Sequence, residues 1–252
     1  MSRAYFRFYA ELNDFLPPRK RGVAFLHEFH GRPSVKDVIE SLGVPHTEVD
    51  LVLADGESVD FSWTLRDGAR VSVYPVFEAI DVAPIARVRP APLREVRFVL
   101  DGHLGRLARY LRVLGFDARW RSDPRDEELA RVAAAERRVL LTRDQGLLER
   151  RIVSHGYWVR AADPRRQLAE VVHRLDLFRA IAPFRRCLRC NELLEAVAKE
   201  SVEHALPPAV RKRDDAFRRC PSCKRVYWAG SHHRRMQQLI SELLAERGTD
   251  SP

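Results

Sequence analysis

Asp101 closes the apolar run Val96-Arg97-Phe98-Val99-Leu100, and Asp144 closes Val139-Leu140-Leu141-Thr142-Arg143. A segment of helical character follows each. Where two such runs are neighbouring parallel strands, their carboxylates emerge at one edge of one sheet, where open α/β folds bind ligands. A carboxylate pair set in a basic segment points to a site for a hard divalent cation acting on phosphodiesters. Asp126 is a third acidic candidate. In Ser122-Asp123-Pro124-Arg125-Asp126-Glu127-Glu128, Asp123 reads as an N-cap, Pro124 as the first helical residue and Asp126 as the reciprocal capping carboxylate. Asp144 could likewise cap the helix that starts after it, so capping and catalysis compete for the same residues. His103 reads as a loop residue and Asp163, before Pro164, as an N-cap.

All four cysteines fall in two C-x-x-C pairs, Cys187-Leu188-Arg189-Cys190 and Cys220-Pro221-Ser222-Cys223. Two such turns offer four thiolates to a tetrahedral Zn²⁺, and none is left for a spaced disulfide framework. A closed set of four thiolates predicts a structural zinc without an open position. Arg185, Arg186, Arg189, Lys224 and Arg225 surround the knuckles together with Phe217, Tyr227 and Trp228. Cations interleaved with aromatics suit single-stranded RNA, through phosphate contacts and base stacking. The same aromatics could instead complete the small core of a zinc ribbon. Arg106, Arg109 and Arg112 repeat on one face of the helix after Asp101. With Arg106 and Arg109, we take Arg143, Arg189, Lys224, Arg225 and His232 as candidate nucleic-acid contacts.

The formal net charge is +9 over 252 residues, and it is unevenly spread. Residues 1–80 carry 9 Lys/Arg against 12 Asp/Glu, so the basicity belongs to the rest, where arginine dominates. Arginine's planar fork matches phosphate better than lysine's point charge. An arginine-rich solvated surface accounts for the same numbers, so charge alone does not select nucleic acid. No apolar run approaches the roughly 18 residues that span a bilayer, and Met1 to Arg7 lacks the apolar core of a signal peptide. A soluble cytoplasmic protein, with no membrane partner, is expected.

The elements that must position these residues follow from periodicity. Residues 3–10 alternate as a strand and Val23 to Phe29 returns antiparallel. A helix from Ser34 to Gly43 carries a Ser34/Asp37 capping box and buries Val35, Val38, Ile39 and Leu42. Short strands then run over Val49 to Leu53, Glu57 to Phe61 and Ala69 to Phe77, joined by the Asp55-Gly56 and Asp67-Gly68 turns. This α+β order within 1–80 describes a β-grasp and resembles the ubiquitin-like domain of the sulfur-carrier type. The terminal Gly-Gly of sulfur carriers is absent, since the chain continues as Tyr74-Pro75-Val76-Phe77-Glu78-Ala79-Ile80. That leaves docking to a protein partner, or covering of its own chain, as the expected role. Residues 81–94, with Pro84, Pro90 and Pro92, read as a stiffened linker.

From 95 to 180 strands and helices alternate: strands at 97–101, 117–120, 139–142 and 157–160, helices at 104–114, 124–137, 145–152 and 164–175. This predicts an α/β unit with a parallel sheet. Residues 181–252 hold the zinc ribbon and a final helix, Met236 to Glu246, capped by Ser231.

The run Phe98-Val99-Leu100-Asp101-Gly102-His103-Leu104-Gly105-Arg106-Leu107-Ala108-Arg109-Tyr110-Leu111-Arg112, with Gly115-Phe116-Asp117, the Asp126-Glu127-Glu128-Leu129 helix start, Leu140-Leu141-Thr142-Arg143-Asp144 and Val226-Tyr227-Trp228-Ala229-Gly230-Ser231-His232, resembles the Mut-seven C-terminal RNase family. The resemblance implies a PIN-like nuclease fold with an appended zinc ribbon, often preceded by a ubiquitin-like domain. It further implies an RNase in which Asp101, Asp126 and Asp144 hold Mg²⁺ or Mn²⁺. PIN nucleases place another aspartate shortly after the Thr-x-Asp element, where this chain has Gln145-Gly146-Leu147. A fourth carboxylate would come from Glu127, Glu149 or elsewhere. The competing expectation is an RNA-binding or adaptor protein built on a degenerate PIN-like domain that does not cut.

Overall fold

A computed structural model describes residues 1–75, 86–88, 95–212 and 216–246. The expected linker, 81–94, lies outside these residues apart from Ala86, Arg87 and Val88, as does the strand extension past Pro75. The chain divides into two compact units, Met1–His103 with Asp123–Arg160, and Leu104–Ser122 with Ala161–Pro252.

The first part of the chain is a mixed five-stranded sheet of order β2-β1-β5-β3-β4, built from β1 (Ser2–Phe8), β2 (Phe25–Phe29), β3 (Leu51–Ala54), β4 (Glu57–Val59) and β5 (Arg70–Tyr74). The β1/β2 pair is antiparallel and β1/β5 parallel, the β-grasp arrangement expected from the order of elements. Alternation along β1 puts Ala4, Phe6 and Phe8 in the core and Arg3, Tyr5 and Arg7 outside. Helix α1 (Val35–Ser41) covers the inner face with Val35, Val38 and Ile39. The capping box is present: Ser34 Oγ accepts from the Asp37 amide at 3.2 Å, and the Asp37 carboxylate accepts from the Ser34 amide at 3.3 Å.

The second sheet has four strands in the order β7-β6-β8-β9: β6 (Phe98–Leu100), β7 (Ala118–Trp120), β8 (Val139–Thr142) and β9 (Gly156–Trp158). β8 runs parallel to β6, with Leu100 opposite Leu141, and parallel to β9, with Thr142 opposite Trp158. All residues of β6 and β8 are buried, as central strands covered on both faces should be. Helix α2 is Gly105–Val113, and α3 (Asp126–Ala135) packs Leu129, Ala130 and Ala133 against Val99 and Leu140. Helix α4 is the single turn Gln145–Leu148; the expected continuation to Ile152 fails because the chain turns to bury Val153, whose amide bonds the Arg150 carbonyl at 2.9 Å. Helix α5 (Pro164–Arg174) is capped by Asp163, as expected.

Two helix starts differ from the sequence reading. α3 begins at Asp126 with Arg125 as an extended N-cap, so Asp123 does not cap it and Asp126 is the first helical residue. Three successive carboxylates, Asp126, Glu127 and Glu128, occupy its first turn and suit the positive end of the helix dipole without a capping side chain. The final helix, α7, spans Ser231–Glu246, so Ser231 is its first residue and His232 lies on it. Between α5 and α7 come β10 (Glu195–Val197), the short α6 (Pro208–Arg211), β11 (Phe217–Arg219) and β12 (Val226–Tyr227). The strands form an antiparallel sheet over a satellite core of Val202, Leu206, Val210 and Phe217. Gly115 ends α2 at φ +95°, and a Cβ there would fall 2.0 Å from the Ala182 carbonyl, so only glycine fits.

Replacing Ser34 by Ala should remove the α1 cap and destabilise the β-grasp by about 1 kcal/mol. Urea unfolding followed by amide exchange of β1 and β5 measures this.

Candidate active site

Parallel pairing of β6 with β8 brings Asp101, just past β6, beside Thr142, the last residue of β8. The Asp101 amide extends the ladder to the Leu141 carbonyl at 3.1 Å. Thr142 is fully buried, and its hydroxyl donates to Asp101 Oδ2 at 2.9 Å while accepting from the Asp144 amide at 2.9 Å. One hydroxyl thus ties the carboxylate of one strand end to the backbone of the other. Asp101 Oδ1 accepts from the His103 amide at 3.2 Å, and Asp144 Oδ1 accepts from the Gly146 amide at 2.9 Å, capping α4. Asp101 is half-buried and Asp144 exposed. His103 is an exposed residue of the turn Gly102–Leu104, serving Asp101 through its backbone alone.

α3 is joined to the start of β8 by a short connection and packs against β6 and β8, and Asp126 in its first turn has an exposed carboxylate. Among the described residues, the one group of three or more His, Cys, Asp or Glu ligand atoms held close together is the cysteine set. Asp101 and Asp144 are therefore linked through Thr142, whereas Asp126 joins no tight cluster with them. Of the candidate further acids, Glu127 is exposed in the first turn of α3. Glu149 has its carboxyl pushed above the usual range, first by burial and then by Glu40 and Asp144, with His46 opposing. Glu149 is thus the candidate that stands in the field of Asp144.

In the second unit the Sγ atoms of Cys187, Cys190, Cys220 and Cys223 all lie within 4.8 Å of one another. Contacts cross between the knuckles: Cys187 to Cys223 at 3.5 Å and Cys190 to Cys220 at 3.3 Å. Four thiolates around Zn²⁺ stand about 3.8 Å apart, from a Zn–S bond of about 2.3 Å in a tetrahedron. The cysteines fit that ion. Both knuckles use the same backbone pattern. Asn191 N bonds Cys187 O and Lys224 N bonds Cys220 O, each at 3.0 Å, with the residue after the second cysteine at positive φ, Asn191 at 73° and Lys224 at 59°. Burial raises the Cys187 thiol, but the Cys190 and Arg189 amides and the Tyr227 hydroxyl outweigh it and hold the group down at about 6. Cys220 is pushed up to about 12, by burial first and then by its sulfur neighbours against backbone hydrogen bonds. A metal is the natural means of keeping all four sulfurs deprotonated together.

A family model described as the Mut7-C RNAse domain matches residues 96–240, and one described as Mut7-C ubiquitin matches residues 1–81. The chain belongs to the Mut7-C RNAse family. No curated protein and no solved structure matches it. Membership of the Mut7-C RNAse family points to a nuclease and to RNA as its substrate class. No helix among the described residues is long and apolar enough to cross a membrane.

Within the Mut7-C RNAse domain the candidate RNA contacts Arg106, Arg109, Arg143, Arg189, Lys224, Arg225 and His232 are all exposed. Lys224 is partly committed, because its ammonium donates to the Pro221 carbonyl at 2.6 Å. Arg112 leaves the row expected from its spacing. It is 3% exposed, and its guanidinium donates to the carbonyls of Ala118 at 2.9 Å, Leu188 at 3.0 Å and Arg189 at 2.9 Å. Burial lowers its affinity for the proton, and Cys187, Cys190 and Asp117 recover only part of that loss. Arg112 is a brace for the first knuckle. The available signal was its place between Leu111 and Leu114, on the apolar side of the helix. Asn191 is a second such brace, donating to Asp117 Oδ1 at 2.6 Å and accepting from the Ala118 amide at 3.0 Å.

Purified protein should contain about one zinc per chain, and Cys187→Ser or Cys220→Ser should abolish it, as read by elemental analysis. Arg112→Lys keeps a charge but loses the fork, and should weaken zinc retention in a chelator titration by about tenfold.

Proposed function

We propose that this chain is a metal-dependent ribonuclease that hydrolyses RNA phosphodiester bonds at the sheet edge carrying Asp101, Asp144 and Asp126. The observation that carries the reading is the Thr142 hydroxyl, which couples the Asp101 carboxylate to the Asp144 backbone at 2.9 Å on each side. Mg²⁺ or Mn²⁺ is bound by oxygen and needs only one or two protein carboxylates. Asp101 and Asp144 suit that demand, with Asp126 in support. Such an ion, when bound, neutralises phosphate charge and activates water for in-line attack.

The chain's own groups prepare the site. Donors from Thr142, His103 and Gly146 fall on the two aspartates and fix the orientation of their carboxylates. Each oxygen so bonded keeps a second lone pair for a ligand. Glu149, in the field of Asp144, is the further acid we favour over Glu127. The zinc ribbon is structural and aids RNA binding through Arg189, Lys224, Arg225 and His232, with Arg106, Arg109 and Arg143 contributing from the nuclease domain. On this reading the protein works in the cytoplasm. The spacing of Asp126 favours a second reading, an RNA-binding or adaptor protein whose acidic centre does not cut.

With Mg²⁺ or Mn²⁺, the wild type should cleave single-stranded RNA. Asp101→Asn and Asp144→Asn should each lose about 10²-fold or more in kcat, and Asp126→Asn about tenfold. All three should keep RNA affinity in filter binding. Retained binding without cleavage by the wild type would select the second reading.

A further inference from the structure

Three consecutive polar residues of the β-grasp, His46, Thr47 and Glu48, are buried at 7%, 4% and 1% exposure. Polar side chains are hidden where they meet partners, and two of these three, His46 and Glu48, find one among residues 153–158. His46 Nε2 lies 2.8 Å from the Val153 carbonyl, which can only accept, so this nitrogen donates. Its Nδ1 lies 2.6 Å from Glu40. Thr47 stands against Gly156, where an added Cβ would lie in ordinary contact with it, 3.5 Å from the Thr47 Cβ. Glu48 Oε1 accepts the Trp158 amide at 2.6 Å.

That amide matters because β9 is an edge strand. Its neighbour in the register, the Val159 amide, turns inward to the Thr142 carbonyl at 2.8 Å, so the Trp158 amide points outward. Arg160 completes the contact. Its Nε donates to Asp14 at 3.1 Å, Nη2 lies 3.5 Å from Glu48 Oε2, and the guanidinium covers the Phe15 and Trp158 rings. Burial works against this cation, while Glu48, Tyr157 and Asp14 together hold its proton affinity above the ordinary arginine range.

Trp158 is gripped at two points by the β-grasp, through its amide at Glu48 and through its ring against Phe15 at 4.9 Å. Its side-chain donor reaches the acidic edge. Indole Nε1 donates to the Arg143 carbonyl at 3.2 Å, and Arg143 immediately precedes Asp144. We infer that the partner of the ubiquitin-like domain is the nuclease sheet of its own chain, and that Trp158 is the positioning residue through which it holds the Asp144 loop. The inference rests on the nuclease reading for its catalytic consequence, but not for its structural one.

Trp158→Phe in the full chain keeps a ring against Phe15 and deletes the indole donor. Amide exchange at Asp144 and Gly146 should accelerate about fivefold, the effect of one lost hydrogen bond. kcat for RNA cleavage should fall about tenfold with KM within twofold. Phe15→Leu, a change confined to the β-grasp, should move the same two readouts in the same direction, and the double variant should be no worse than Trp158→Phe alone. Unchanged exchange at 144 and 146, or faster exchange with wild-type kcat in a protein that cleaves, would overturn the positioning role. Faster exchange in a protein whose wild type cleaves nothing would uphold the clamp while the nuclease reading falls.

Discussion

The pairing of β6 with β8 is the constraint on which the acidic edge depends. Because the two strands run parallel and in register, Asp101 and Thr142 leave the sheet side by side, and a buried hydroxyl has an acceptor on one side and a donor on the other. The bond geometry also explains why Thr142 is not interchangeable with an apolar residue. A valine would fill the space but take the acceptor from the Asp144 amide and the donor from Asp101 Oδ2, and polar groups that lose their partners are costly.

The cysteine centre is organised by a different device, a repeated local turn. Each C-x-x-C folds so that the residue behind it takes positive φ, and each turn closes with the same amide-to-carbonyl bond. Asparagine accepts that backbone readily, as at Asn191, while Lys224 is a less common occupant. Arg112 supplies what a small ribbon lacks, a charged brace that bonds two carbonyls of the knuckle, Leu188 and Arg189, and anchors them to the Ala118 carbonyl of β7.

Much of this was legible in the sequence because it is local. The Ser34/Asp37 box, the run Val139 to Thr142, the Asp163 cap and the paired knuckles each declare themselves within a few residues. What escaped was decided by distant partners. Asp123-Pro124 carries the signature of a helix start, yet the helix waits for the acidic triplet at Asp126. Arg112 shares the spacing of Arg106 and Arg109 but meets carbonyls more than 70 residues away. His46, Thr47 and Glu48 carry no local sign that they are buried, since His46 and Glu48 meet partners more than 100 residues away. The carboxylate pair itself was visible as two strand ends, whereas the hydroxyl that joins them becomes meaningful only once the register is known.

The Glu48 carboxylate on the outward amide of β9 also bears on self-association. An edge strand with open amides is a template for other chains, and natural proteins guard such edges with charge or cover. Here the β-grasp supplies a buried carboxylate that occupies the amide and the Phe15 ring that packs on Trp158, while Arg160, just past the strand, adds its guanidinium over both rings. The nuclease sheet is therefore closed to strand addition only while the β-grasp is docked. A chain shortened to its second sheet would lose the carboxylate on the Trp158 amide and the Phe15 ring against its indole, leaving a ladder position open to pairing with another chain.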